Sequence, residues 1–264
     1  MIKIFSFVAS CAGGEGHTAR LSDAFARAIR QRLEAEGETV SYERITGDAL
    51  KIDFCRSCAG CFKTGVCPLD RGDDMALLKK KILECDILLM GSPVYYGRMS
   101  GLMKCVLDRL TYWAHRSELL GKPCLLFMST HSNHGEEASK DLASLLECME
   151  PSLVNAGAFY ANGHPNQYLE KDMAPALSEA AERIVEAVHD PRVTITDFQR
   201  AYHLSLVRLN RRAIARAGVV GAELWEDVRV CEERGLTRHV LLSEAIEELC
   251  MKPDGFYYRE RGRT

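Results

Sequence analysis

The sequence lacks a strong excess of charge of either sign. Its 264 residues include 34 Lys and Arg and 37 Asp and Glu, for a net charge of -3. This balance gives no support to nucleic acid or a membrane surface as the main partner. No apolar run approaches the roughly 20 residues that span a bilayer. The first apolar stretch is too short for a secretory signal, and Lys3 interrupts it, so we expect a cytoplasmic protein.

Cysteine, by contrast, is abundant. The chain has 11 cysteines, and without a secretory signal we expect their thiols to stay free or to bind metal. Four lie within thirteen residues, in the pattern C-x2-C-x2-C-x5-C-P: Cys55, Cys58, Cys61 and Cys67, followed by Pro68. Structural zinc sites usually use two separated C-x2-C pairs, so this compact run fits an iron–sulfur cluster better. Zinc, bare thiols and disulfides stay open as alternatives.

Six of the other cysteines lie on apolar strand or helix patterns and are interpreted as small buried hydrophobic residues: Cys85, Cys105, Cys124, Cys148, Cys231 and Cys250.

Apolar runs and helical periodicities alternate along the first two thirds of the chain. Strands are expected at 1–8, 39–45, 86–91, 122–129 and 153–160. Helices are expected after the first glycine-rich turn and at about 74–84, 101–113, 136–150 and 174–189. The cysteine segment is too irregular to predict regular structure there. This alternation predicts an α/β fold, with a doubly wound parallel sheet of five strands and helices on both faces.

A boundary is predicted at Asp190–Pro191. Residues 1–190 form the predicted sheet domain, and residues 191–264 a helical C-terminal extension with helices near 197–217, 222–234 and 243–251. The first of these helices is rich in arginine, which indicates either a solvated helix face or a basic docking face: Arg200, Arg208, Arg211, Arg212 and Arg216.

Ligands of such sheets bind beyond the carboxyl ends of the strands, so the loops after the first, third and fourth strands should converge. The first loop, residues 10–18, combines glycines with the start of a helix, and its N–H groups can hold a phosphate. It has neither the dinucleotide spacing nor a Walker lysine, and a terminal phosphate such as that of FMN suits it best. An ordinary glycine-rich turn is the alternative. The candidate phosphate ligands are Ser10, Gly14, Gly16, His17 and Thr18.

The second loop, residues 92–100, offers flat apolar side chains to a ring. Its candidate ligands are Pro93, Val94, Tyr95, Tyr96 and Gly97, and Ser100 is expected to cap the next helix. The alternative is a surface loop whose tyrosines pack on the core.

The run Gly91-Ser92-Pro93-Val94-Tyr95-Tyr96-Gly97, followed by Lys104, Asp108 and Arg109, resembles the flavin loop of NADPH-dependent FMN reductases of the flavodoxin superfamily. With the cysteine run, residues 62–67 and Asp73-Asp74-Met75, the chain resembles the iron–sulfur flavoprotein branch over about residues 1–190. The resemblance implies strand order 2-1-3-4-5, non-covalent FMN, and a homodimer or higher oligomer. It implies a phosphate in the first loop and the isoalloxazine on the second. It also implies that the third loop, with Thr130 and His131 as candidate ligands, closes over the pyrimidine end.

The resemblance also implies an oxidoreductase that takes hydride from NAD(P)H and needs no catalytic side chain. A [4Fe-4S] cluster would then pass single electrons to a quinone, flavin or protein acceptor. A non-catalytic electron carrier and a zinc-bound interaction module are the alternatives. One departure concerns the first loop: relatives often have Pro-Arg after the serine, and Cys11-Ala12 here removes a cation that could pair with phosphate.

Overall fold

A computed structural model describes residues 1–115, 117–161 and 170–190, together with Thr196, Gln199 and Tyr202. The chain divides into two compact units, Met1–Ile195 and Thr196–Thr264. The predicted C-terminal helices, their arginines, Cys231 and Cys250 lie outside the described residues. Within the described ranges, no helix is both long and apolar enough to cross a membrane.

Five parallel strands form the sheet, as predicted from the unbroken apolar runs. They are β1 (Ile2–Val8), β2 (Val40–Thr46), β3 (Ile87–Tyr95), β5 (Pro123–Thr130) and β6 (Ser152–Tyr160). Their order is β2-β1-β3-β5-β6. Because β4 (Arg98–Met99) is a two-residue strand that pairs only with the end of β3, this order confirms the predicted flavodoxin-like arrangement.

Helices cover both faces of the sheet. The chain order gives α1 (His17–Ala35), α2 (Gly60–Thr64), α3 (Met75–Glu84), α4 (Gly101–Leu110), α5 (Gly135–Glu147) and α6 (Glu170–His189). One core cluster packs apolar residues of α1 and α6 against the sheet, including Phe25 and Ile184. The other packs α3, α4 and α5 against the opposite face, including Leu78, Val106 and Leu142.

Two expectations were wrong in part. The predicted loop after the third strand is shorter, since β3 continues to Tyr95 and pairs back with β4. Tyr96 and Gly97 both have positive φ, the pattern of a type I′ hairpin turn. The cysteine segment also contains regular structure, namely α2 and a 3₁₀ turn at Pro68–Arg71. Local side-chain bonds support α2, because the Thr64 hydroxyl donates to the Gly60 carbonyl at 3.0 Å.

Candidate functional site

The first loop turns sharply between β1 and α1. Ser10 is buried, and its Oγ accepts from the Ala12 N–H at 3.3 Å. Gly13 has φ of +72°, which glycine adopts readily. Gly16 caps α1 without a side-chain hydrogen bond, and no acidic residue lies in the first turn. Within the part of the chain that the structure describes, the positive end of this helix thus has no side-chain cap and no acidic residue in its first turn, which leaves a place for an anion.

The Thr18 hydroxyl makes a contact that the sequence did not indicate. Its Oγ1 lies 2.6 Å from Ser129 Oγ, and either oxygen can be the donor. Both residues are buried. The pair ties the first turn of α1 to the carboxyl end of β5.

The second loop is held to the first by one serine. Ser100 caps α4 as predicted, since its Oγ accepts from the Met103 N–H at 3.1 Å. The same hydroxyl donates to the Ala9 carbonyl at 2.7 Å. Beside this junction, the side chains of Tyr95 and Tyr96 are exposed rather than packed on the core, which leaves their ring faces available to a ligand.

The third loop contacts the second loop and lies near the first. A Cβ on Gly97 would lie 3.4 Å from Cγ of His134, so the His134 ring lies against the β3–β4 turn. Burial lowers the pKa of His17, and the neighbouring charges of Arg20 and His131 lower it further. His131 of the third loop is thus close to His17 of the first. The structure brings the three predicted loops together at one rim of the sheet, and their contacts with a cofactor stay predictions.

Arg44 is a residue at this rim that the sequence analysis missed. It lies near the end of β2, where its Nη1 donates to the Gly14 carbonyl at 3.0 Å. Its Nε lies 3.2 Å from Oδ1 of Asp23, which also accepts from the Tyr42 hydroxyl. The parallel register of β1 and β2 pairs Ser6 with Arg44. This pairing places the Arg44 guanidinium beside the glycine turn. That pairing was the signal that could have found it.

The four clustered cysteines lie on the segment between β2 and α3. Cys55 and Cys58 are exposed, Cys61 is half-buried and Cys67 is buried. Burial raises the pKa of the Cys61 thiol, and the nearby thiols of Cys67 and Cys55 raise it further. Among the residues that the structure describes, no three His, Cys, Asp or Glu side chains are gathered as a metal site. Of the other predicted buried cysteines, Cys85, Cys105 and Cys124 are buried and Cys148 is half-buried.

A network of charged side chains lies at the two ends of the cysteine segment. The Arg109 side chain on α4 is fully buried and donates to Asp73 and, at 2.7 Å, to Asp70. Its Nη1 also donates to the Asp53 carbonyl at 2.9 Å. Lys79 of α3 completes the network through a 2.7 Å bond to Asp70. Two cations and two anions therefore compensate one another inside the protein.

The residues present fit a thiolate-bound group by two observations. The donors are all thiols, the ligands that iron–sulfur clusters use. In addition, Nε of Arg109 is buried and has no hydrogen-bond partner among the described atoms, and the guanidinium lies close enough to interact with the Cys67 thiol. A buried cation with an unused donor near the thiols is suited to an anionic group bound there.

The model of the NADPH-dependent FMN reductase family matches residues 2–166, which is more than half of the sequence. The chain belongs to the NADPH-dependent FMN reductase family. This confirms the family inferred from the β3–β4 segment and its tyrosines.

Three relatives are similar to parts of this chain. An iron–sulfur flavoprotein of Archaeoglobus fulgidus is 35% identical over 89 residues, which is 34% of this chain and 40% of the relative. One of Methanocaldococcus jannaschii is 34% identical over 82 residues, 31% of this chain and 42% of the relative. An NAD(P)H dehydrogenase (quinone) of Geotalea daltonii is 24% identical over 152 residues, 55% of this chain and 67% of the relative. The matches to the iron–sulfur flavoproteins thus span about two fifths of those relatives.

Solved structures agree with the fold of this family. An oxidoreductase of Corynebacterium diphtheriae superposes with a TM-score of 0.53 at 18% identity, covering 72% of this chain and 98% of its own. RosB, solved with 8-demethyl-8-formylriboflavin-5'-phosphate, gives a TM-score of 0.53 at 17% identity, covering 100% and 93%. At these identities the likeness shows the fold alone.

Proposed function

We propose that this protein is an FMN-dependent oxidoreductase that takes hydride from NAD(P)H. The observation that carries the proposal is the meeting of three loops at one rim, at the carboxyl ends of parallel strands where such sheets bind ligands. The Ser100 hydroxyl ties the second loop to the first. The Thr18–Ser129 pair ties the first to β5. A site fixed by buried hydroxyls is already formed before a ligand binds, which lowers the entropic cost of binding.

The rim gives each part of FMN a different environment. The first loop and the start of α1 hold the phosphate, through Ser10, Gly14, Gly16, His17 and Thr18. The β3–β4 segment carries the ring contacts, through Pro93, Val94, Tyr95, Tyr96 and Gly97. Thr130 and His131 close over the pyrimidine end. Bound FMN supplies the hydride-accepting ring, and the protein supplies its position and electrostatic surroundings.

The cysteines extend this function to single-electron transfer. We propose that Cys55, Cys58, Cys61 and Cys67 hold a [4Fe-4S] cluster that feeds a quinone, flavin or protein acceptor. Support comes from the all-thiol donor set and from the matches to iron–sulfur flavoproteins. We also propose a homodimer or higher oligomer in the cytoplasm. Neither a membrane nor a nucleic acid is part of the proposal.

Turnover tests the enzymatic proposal directly. Protein purified without oxygen and loaded with FMN should oxidise NAD(P)H continuously when a soluble quinone or free FMN is the acceptor. A flavin that is reduced only by a separate reductase, without turnover of NAD(P)H, would favour a non-catalytic electron carrier instead. A colourless protein that contains zinc would contradict both and favour an interaction module.

A further inference from the structure

Arg109 contacts both ends of the cysteine segment. Before the first cysteine, its Nη1 donates to the Asp53 carbonyl at 2.9 Å. After the last cysteine, its Nη2 donates to Oδ1 of Asp70 at 2.7 Å, and both Asp73 oxygens accept from the same guanidinium. A further bond joins the two ends directly, since the Asp53 N–H donates to Oδ2 of Asp73 at 3.0 Å. Hydrogen bonds between Lys51 and Asp74 join the two ends as well, and Arg109 adds the side chain that bonds to both ends at once.

The first part of the segment between these ends has little apolar burial. Cys55 and Cys58 are exposed, and Ser57 and Ala59 have positive φ, a backbone conformation that few side chains favour. Apolar burial therefore does little to determine where the first two thiols lie. The hydrogen bonds at the two ends of the segment therefore do more than apolar packing to hold this part of the chain in place.

The guanidinium also bears on Cys67 itself. Cys67 is the one buried thiol of the four, and it lies close to Arg109. The Nε of Arg109 is buried without a hydrogen-bond partner in the described part of the chain. The positive charge of Arg109 therefore lies close to the last cysteine of the segment as well as at both of its ends.

We propose that Arg109 is a positioning residue of the cysteine site. It joins the two ends of the cysteine segment and places a fixed positive charge near Cys67. The inference rests on the proposed iron–sulfur function and names the residue that arranges that site. Arg109 binds no iron itself. It acts by holding the two ends of the loop together and by placing its positive charge near Cys67.

Charge variants separate this role from simple structural support. Arg109→Gln removes the positive charge, and Asp73→Asn removes one of its anionic partners. Both changes disturb the same network, but they alter the local charge in opposite directions. Arg109→Lys keeps the charge without the forked geometry. Lys104→Gln is the matched control, because Lys104 lies on the same helix, half exposed and paired with Asp108.

Each protein is reconstituted anaerobically with ferrous iron and sulfide, and two properties are measured: iron retained against a chelator, and the midpoint potential of the cluster. Arg109→Gln should retain iron about tenfold less well or worse, with a more negative potential. Asp73→Asn should shift the potential the other way. Arg109→Lys should lose iron faster than wild type while keeping a potential close to it, and Lys104→Gln should change neither.

The outcomes are distinct. Iron retention and potential unchanged in Arg109→Gln, or potentials that shift in the same direction in Arg109→Gln and Asp73→Asn, would overturn the inference alone. Wild-type protein that takes up no iron would overturn the cluster proposal and this inference together. Should Arg109→Gln fail to fold, the comparison of Arg109→Lys with Asp73→Asn still decides the sign of the charge effect.

Discussion

The flavin rim and the cysteine loop are held in place by different forces. At the rim, neutral hydroxyls such as Ser100 and Thr18 bond to neighbouring loops, and the strands beneath them fix their spacing. At the cysteine loop, the buried guanidinium of Arg109, the buried carboxylate of Asp73 and the carboxylate of Asp70 hold the ends of the segment. The rim therefore follows from the sheet, whereas the cysteine loop depends on a few charged side chains.

This difference has consequences for mutation. Neutral hydrogen bonds contribute about 0.5–1.5 kcal/mol each to stability. Removing them one at a time should therefore lower the stability of the rim in small steps. Breaking a buried ion pair leaves an uncompensated charge and costs about 3–5 kcal/mol. Loss of one charged partner should therefore destabilise the cysteine loop in a single large step.

The largest effect is expected for Arg109→Gln, which should lower the free energy of unfolding by about 3–5 kcal/mol because Asp73 stays buried without its cation. Burial opposes the charge of Asp73, but hydrogen bonds from Arg109 and from the N–H groups of Asp53 and Met75 lower its pKa overall. Wild-type protein should thus lose stability as the pH falls below about 4, where the unfolded state takes up the proton first.

Chemical denaturation at pH 7 and at lower pH measures both effects. The Arg109→Gln variant should show a flatter dependence on pH, because Asp73 has lost the partner that lowers its pKa. Lys104→Gln serves as the control, since its exposed pair with Asp108 should contribute little. Equal stability of wild type and Arg109→Gln at pH 7 would refute the claim that charges hold this loop.

A smaller loss is expected for Gly91→Ala at the rim. A Cβ at this position would lie 2.4 Å from Cζ of Phe127 and 3.1 Å from Cγ2 of Thr18. The crowding should cost about 1–3 kcal/mol of unfolding free energy. Gly101→Ala is the matched control, since a Cβ there meets no atom within 4 Å. Equal melting temperatures for the two variants would show that the rim tolerates repacking.

Thr18→Ala tests the phosphate role against the structural one. We expect about tenfold weaker FMN binding, since a hydroxyl bonded to a charged group contributes about 1.5–3 kcal/mol. Ser129→Ala is the control, because it removes the same 2.6 Å contact without touching α1. Titration of each apo-protein with FMN gives the comparison. Equal losses of FMN affinity in both variants would mean that the Thr18 hydroxyl anchors β5 and does not bind the phosphate.

The smallest effect is expected for Arg44→Met. Its guanidinium is partly exposed and already bonded to Gly14 and Asp23, so the loss should be roughly threefold to tenfold in FMN affinity. Riboflavin, which has no phosphate, should be unaffected. The difference between wild type and variant should shrink at high salt as the charge is screened. An equal loss for FMN and riboflavin would mean that Arg44 supports the loop and not the phosphate.

Much of the fold could be predicted because its signals are local. The run at Ile87–Gly91 is apolar enough to identify a buried strand, and Ser100 stands where a helix needs its cap. The hairpin at Tyr96–Gly97 was missed because a β4 of two residues has no periodicity, and its tyrosine adopts a positive φ that its residue type does not favour.

The charged network could be predicted only in part. Arg109 and Asp73 were noticed as members of a motif, but their 36-residue separation hides the bond between them. Arg44 was missed for the same reason: its importance comes from strand pairing, which places distant residues side by side. The roles of residues that act through long-range contacts therefore required the structure.

The central claim is that the rim holds a singly phosphorylated flavin. Fluorescence titration of apo-protein with FMN, alongside riboflavin, tests it most directly. The account predicts saturable binding of FMN and much weaker binding of riboflavin, since the first loop and the start of α1 recognise the phosphate. A folded apo-protein that shows no affinity for FMN even at millimolar excess would contradict it.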